Sequence, residues 1–166
     1  MDVAQATPGT VTPEEIRDEV AKGLDDLKKD NPELKVTINP ATGLPLSISG
    51  FKPEATSLAA GARSKELTED ETRNMVEAFL GSKGLAAALP TRNKQAELAY
   101  VGRRKDPDFP GRYVANVEQR VNGIPVFGSS AKVTVETSLG VTRFQGATSA
   151  VAIADTTATL EREAAI

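Results

Sequence analysis

Apolar positions in this chain fall first on a helical period. Thr12 stands before Pro13, Glu15 follows three residues after Thr12, and Ile16, Val20, Leu24 and Leu27 recur along one stripe. A threonine cap with glutamate three residues on is a capping box, and proline is favoured at the first helical position. The spacing therefore predicts a helix from Thr12 to about Lys29, with Val11 stapled against Ile16 and an end before Asp30-Asn31-Pro32. The period then drops to two. Residues 35–39 and 44–50 alternate on either side of Pro40-Ala-Thr-Gly43, which predicts a β-hairpin. Pro45 has no ladder N–H to donate, so its arm is expected at a sheet edge.

Residues 52–66 show no period and read as a linker. Thr68 with Glu71 forms a second capping box, opening a helix to about Leu80 whose apolar face is Met75, Val76, Phe79 and Leu80. Gly81, Gly84 and Pro90 punctuate the stretch beyond it. From Ala96 onward alternation dominates. Tyr113, Ala115, Val117 and Val121 take one face of a strand, while Asn116, Glu118, Arg120 and Asn122 take the other. Ala131, Val133 and Val135 repeat the pattern, Thr137-Ser-Leu-Gly140 turns, and Val141–Gln145 returns. The fold class is α+β: a helix across three or four antiparallel strands, preceded by an N-terminal helix and hairpin. The divisions expected are residues 1–50, a linker at 51–66, an α+β domain at 67–150, and a connector at 151–166. Residues 1–10 are expected to fray. Leu160–Ile166 reads as the start of a helix too short to stand alone, so the natural polypeptide is expected to run past Ile166.

Composition narrows the chemistry. Of 166 residues, 39% are apolar and 26% charged, enough for a modest core. Five Phe, two Tyr and no Trp leave no aromatic platform for bases, and a net charge of −3 opposes binding to a phosphate backbone. No apolar run is long enough to span a membrane. Met1 leads into Asp-Val-Ala-Gln without a secretion signal and reads as an added or cytosolic start. Histidine and cysteine are both absent, which removes the usual catalytic bases and the soft metal ligands. Ser64-Lys65 and Ser82-Lys83 are adjacent pairs, not the spacing of a Ser–Lys catalyst. Glu14, Glu15, Asp18, Glu19, Asp25 and Asp26 read as a solvated helix face, with Asp18–Lys22 and Asp25–Lys29 as ion pairs. Asp106-Pro-Asp108 lacks calcium-loop spacing and is expected to be a plain turn. Arg103-Arg-Lys105 is a short basic run set against Asp106 and Asp108. No enzymatic activity and no cofactor are expected.

Gln119-Arg-Val-Asn-Gly-Ile-Pro-Val-Phe-Gly128 stands out, with alternating strands on both sides. Taken by itself it is a strand entering a bend: Asn122-Gly123 supports positive φ, Pro125 removes a ladder donor, Gly128 permits a further bend, and Ile124, Val126 and Phe127 bury themselves. On that basis Phe127→Ala would cost roughly 3–5 kcal/mol. The segment also resembles the signature of the fungalysin/thermolysin propeptide domain, the prosegment module of secreted zinc metallopeptidases. The resemblance runs over about residues 67–150, carried by Gln119, Val121, Gly123, Ile124, Pro125, Val126, Phe127 and Gly128, with a looser match at 35–50.

The resemblance implies a cystatin-like prosegment architecture and a non-catalytic role. Such a module assists the folding of a zinc metallopeptidase catalytic domain, or keeps it latent, in cis or in trans. The peptidase itself needs two histidines one helical turn apart and cannot lie within this chain. Arg120 and Asn122, on the polar face, are the implied partner contacts. A secreted or cell-surface bacterial location, with no nucleic-acid partner and no membrane span, goes with this reading. The alternatives are an extracellular binding module that reuses the fold without a peptidase, and a stand-alone metallopeptidase inhibitor.

Overall fold

The computed structural model describes residues 12–51, 66–90 and 96–150. The expected staple at Val11, frayed start, linker and C-terminal connector lie wholly or almost wholly outside the described residues. In chain order the elements are α1 (Pro13–Asp30), β1 (Lys35–Ile38), β2 (Pro45–Ser49), α2 (Glu69–Leu80), α3 (Lys83–Ala88), β3 (Ala96–Lys105), β4 (Arg112–Val121), β5 (Ile124–Glu136) and β6 (Gly140–Ala147). The class is α+β, as the periodicity implied.

Both capping boxes form. The Thr12 hydroxyl accepts from the Glu15 N–H at 3.2 Å while the Glu15 carboxylate accepts from the Thr12 N–H at 2.8 Å. Thr68 and Glu71 do the same at 3.1 and 2.8 Å. Each box satisfies two backbone donors that a helix start otherwise leaves open. At the far end of α1, Lys29 pairs with Asp26 at 3.0 Å and not with the expected Asp25.

All six strands form one antiparallel sheet in the order β1-β2-β6-β5-β4-β3. The early hairpin thus joins the later strands through β2 and β6, where Ile48 lies opposite Phe144. Pro45 does not put its arm at an edge. It opens β2 opposite Ile38, and the pairing to β6 begins only at Ser47, so the missing N–H falls outside that ladder and β1 becomes the edge. Residues after Gly81 form α3, which buries Leu85 and Ala88, with Leu89 buried just beyond it.

One face of the sheet is dry. Ile48, Phe144, Val133, Val135, Ala115, Val117 and Tyr113 bury there with Val20, Leu24, Val76, Leu80 and Leu85 in a single apolar cluster. Helix α1 lies against α3, and α2 lies against β3. Phe51, beyond β2, meets Phe79 of α2 edge to face with ring centres 4.9 Å apart. Phe144 is fully buried at the centre of this face, and its truncation to alanine is expected to cost roughly 3–5 kcal/mol in urea unfolding.

The basic run on β3 is a clasp for α2. Arg103 donates to Glu69 and to the Thr72 hydroxyl, both at 3.1 Å, and stacks 4.3 Å over the Tyr113 ring. Lys105 pairs with Glu66, and Tyr100 donates its hydroxyl to Glu69. Arg103 and Lys105 therefore face acids on α2 and just before it, not Asp106 and Asp108, while Arg104 between them takes the opposite face of the strand. The Tyr100 hydrogen bond, ahead of the Arg103 contact, holds the Glu69 carboxyl below its ordinary value, and Lys105 does the same for Glu66. Burial first, then Glu69, pushes the Tyr100 hydroxyl above its ordinary value. Carboxyls held low stabilise the fold above about pH 4.5 and lose that contribution as acid protonates them. A phenol held high stabilises below about pH 10 and loses its contribution above it. Thermal unfolding is expected to show a shallow loss of stability on the acid side of pH 4.5, partly removed by Glu69→Gln. An identical acid limb in that variant would contradict the clasp.

Candidate interaction site at the β4–β5 bend

The Asn-Gly pair at 122–123 closes the β4–β5 hairpin. Asn122 has φ 51° and Gly123 φ 78°, two consecutive positive values that match a two-residue turn to the twist of its strands. Pairing begins regularly, Val121 with Ile124 and Arg120 with Pro125, and then jumps to Glu118 with Ser130. Residues Val126, Phe127, Gly128 and Ser129 therefore lie opposite Gln119 alone. The extra length has to leave the sheet plane, and Gly128, at φ 75°, turns it there.

Gln119 fixes this bend from inside. It takes a position on the dry face of β4 and is fully buried. Its side-chain NH₂ donates to the Ser149 carbonyl and its oxygen accepts from the Ser149 N–H, both at 2.8 Å. Ser129, itself buried within the bulge, shares a 2.6 Å hydrogen bond between its hydroxyl and that of Ser149. One amide thus ties the strand, the bulge and the segment after β6 together without leaving a polar end dry and unpaired.

The bend turns its apolar residues outward. Phe127 is 103% exposed and Ile124 is 52% exposed, while Pro125 is also exposed and Val126 half-buried. The expectation that Ile124, Val126 and Phe127 form core fails at Phe127 above all. Three extra residues in β5 lift this segment off the ladder and take the ring out with it. Val121 is buried, as alternation required.

Arg120 and Asn122 are placed less simply than the sequence implied. Arg120 lies on the open face and is engaged by Glu118, through its Nε at 2.7 Å and through its terminal nitrogen. Asn122 serves as the first residue of the turn. The two border the bend. What sequence reasoning missed is that Ile124 and Phe127 each turn outward, and that Gln119 anchors the bend that carries them. A glutamine in register with Val117 and Val121 was the available signal.

Among the described residues no group of three or more acidic, histidine or cysteine side chains is placed to hold a metal ion. None of the described helices is long and apolar enough to cross a membrane. The Asp106–Gly111 loop is a turn in which Asp106 accepts from the Asp108 N–H at 3.0 Å. Compared with known proteins, the chain matches no family model, no curated protein and no solved structure.

Two substitutions separate anchor from display. Phe127→Ser is expected to leave stability within about 0.5 kcal/mol of wild type, since no buried area is lost. Gln119→Leu removes both bonds to Ser149 and strands its N–H and carbonyl, so a loss of about 1–3 kcal/mol is expected in the same unfolding assay. The reverse ranking would contradict the placement.

Proposed function

We propose that this chain is a non-catalytic prosegment-type module that assists the folding, or maintains the latency, of a secreted thermolysin/fungalysin-type zinc metallopeptidase. The observation that carries the reading is Phe127, a whole aromatic side chain held in water on a bend that a buried glutamine anchors. An aromatic left in solvent contributes nothing to the folding of its own chain. It contributes to association once a partner covers it, and aromatic residues are enriched among those that dominate binding energy. Gln119–Gly128 is also the segment that resembles the propeptide signature. Its residues divide here into anchors (Gln119, Val121), turn formers (Asn122, Gly123, Gly128) and displayed groups (Ile124, Phe127).

The mechanism needs shape and affinity, not chemistry. A module that binds the native catalytic domain more tightly than the unfolded one stabilises the native form in proportion to the logarithm of its concentration over Kd. Before the peptidase is mature, that bias favours its folding; afterwards the same contact restrains it until cleavage removes the module. In this reading Phe127 and Ile124 form the apolar centre of the contact, and Arg120 and Asn122 its polar rim. The module works outside the cell or at its surface and carries no cofactor.

The reading is tested on the gene and its neighbours, then in refolding. They are expected to encode a catalytic domain with His-Glu-x-x-His and a further acidic ligand. Denatured catalytic domain should recover activity better with the wild-type chain than with Phe127→Ser. Equal recovery with both would contradict the role of the bend. Finding no such domain would leave an extracellular binding module that works without a peptidase.

A further inference from the structure

The face of the sheet turned away from the helices carries an unbalanced charge. Register places Lys35, Ser49, Arg143, Thr134, Val114 and Arg104 in one row across all six strands. The next row runs Thr37, Ser47, Gln145, Lys132, Asn116 and Gly102. Their inward neighbours are Val36, Ile48, Phe144, Val133 and Ala115, the residues packed under the helices, so alternation turns both rows to solvent. These rows hold four cations and no carboxylate. Of the acids elsewhere on this face, Glu118 is engaged by Arg120 and Glu136 by Arg112 at 3.0 Å, and Glu97 lies outside the two rows, opposite Arg120. Among the described residues Lys35, Lys132, Arg104 and Arg143 have no acidic partner, in a chain whose net charge is −3.

A depression of about 340 Å³ opens on this face, lined in part by Asn116, Ser130, Lys132, Gln145 and Gly146. Its floor depends on Gly146, where a Cβ would stand 2.3 Å from the Ala131 Cα and 2.4 Å from the Ser130 carbonyl. Lys132, Asn116, Gln145 and Ser130 thus border one hollow, with Val117 and Ala131 also in its lining. Arg143 stands one position along the same face, tethered by a 3.4 Å bond to Ser47. Such a set suits carboxylates. The two rows contain no aromatic ring, so neither sugar stacking nor base stacking is provided.

We infer that this open face is a second binding surface, which takes an acidic polypeptide segment by seating a carboxylate beside Lys132 and Arg143. Charge complementarity across six strands orients the segment, and the hollow receives one side chain. These residues are distinct from those of the β4–β5 bend, and the surface does not depend on the prosegment reading.

The test measures fluorescence anisotropy of a labelled oligo-glutamate peptide titrated with the full chain at low ionic strength. Binding is expected to weaken with added salt and by roughly tenfold in Lys132→Glu/Arg143→Glu. The control Lys22→Glu/Lys28→Glu makes the same charge change on the exposed face of α1 and is expected to have little effect. Both double variants should unfold at the wild-type temperature, because all four side chains are exposed. Equal loss in the control would mean a net-charge effect and overturn the site. Tighter binding of a heparin oligosaccharide than of the peptide would overturn the acidic-polypeptide assignment, and no binding of the peptide would overturn the surface itself.

Discussion

Among the described residues the helices pack on one side of a six-stranded sheet, so that face must be kept dry while the other is left to water. Everything else in this protein is arranged around that asymmetry. The dry face is assembled from short apolar contributions of every strand, from Val36 and Ile48 through Phe144 and Val133 to Ala115. Three helices then close it, with α1 reaching the cluster alongside α3. Because side chains alternate, a single slip in register would exchange the two faces. The irregularities of the ladder are therefore informative: each is a place where the chain departs from strict alternation and holds the departure in place. The largest lies opposite Gln119, where a polar residue occupies a core position and its amide both donates to and accepts from Ser149.

That bulge explains both what the sequence revealed and what it concealed. Local signals were legible because their physics is local. Thr12 with Glu15 and Thr68 with Glu71 announce helix starts through reciprocal hydrogen bonds within four residues. The alternation of Tyr113, Ala115, Val117 and Val121 announces a half-buried strand. Pairings between distant segments were not legible. Nothing near Pro45 indicates that β2 lies between β1 and β6, since the partner strand arrives about a hundred residues later. The orientation of Phe127 was hidden for a related reason. Its apolar character says core, and only the count of residues between the Val121–Ile124 and Glu118–Ser130 pairs says otherwise. At the candidate site the residues were legible as a group and their individual roles were not.

The two surfaces differ in the physics they offer a partner. The bend supplies apolar area on a short, fixed support, the kind of contact whose strength resides in slow dissociation. Lys132, Arg143 and their row supply field and hydrogen bonds over a broad polar face, the kind of contact that selects and steers. Arg103 and Lys105, which look equivalent in sequence, belong to neither, because Glu69 and Glu66 engage them in holding α2. Topology, not composition, decides which cations are available.

The bend holds residue 127 in solvent, and Gln119 ties its base to Ser149. The chain has no tryptophan, so Phe127→Trp introduces a single reporter at that position. Solvent-like emission is expected from the folded chain, with near-full accessibility to a neutral quencher and a blue shift only when a partner covers the bend. Blue-shifted, quencher-protected emission from the folded chain alone would place residue 127 in the core and rule out its display on the bend.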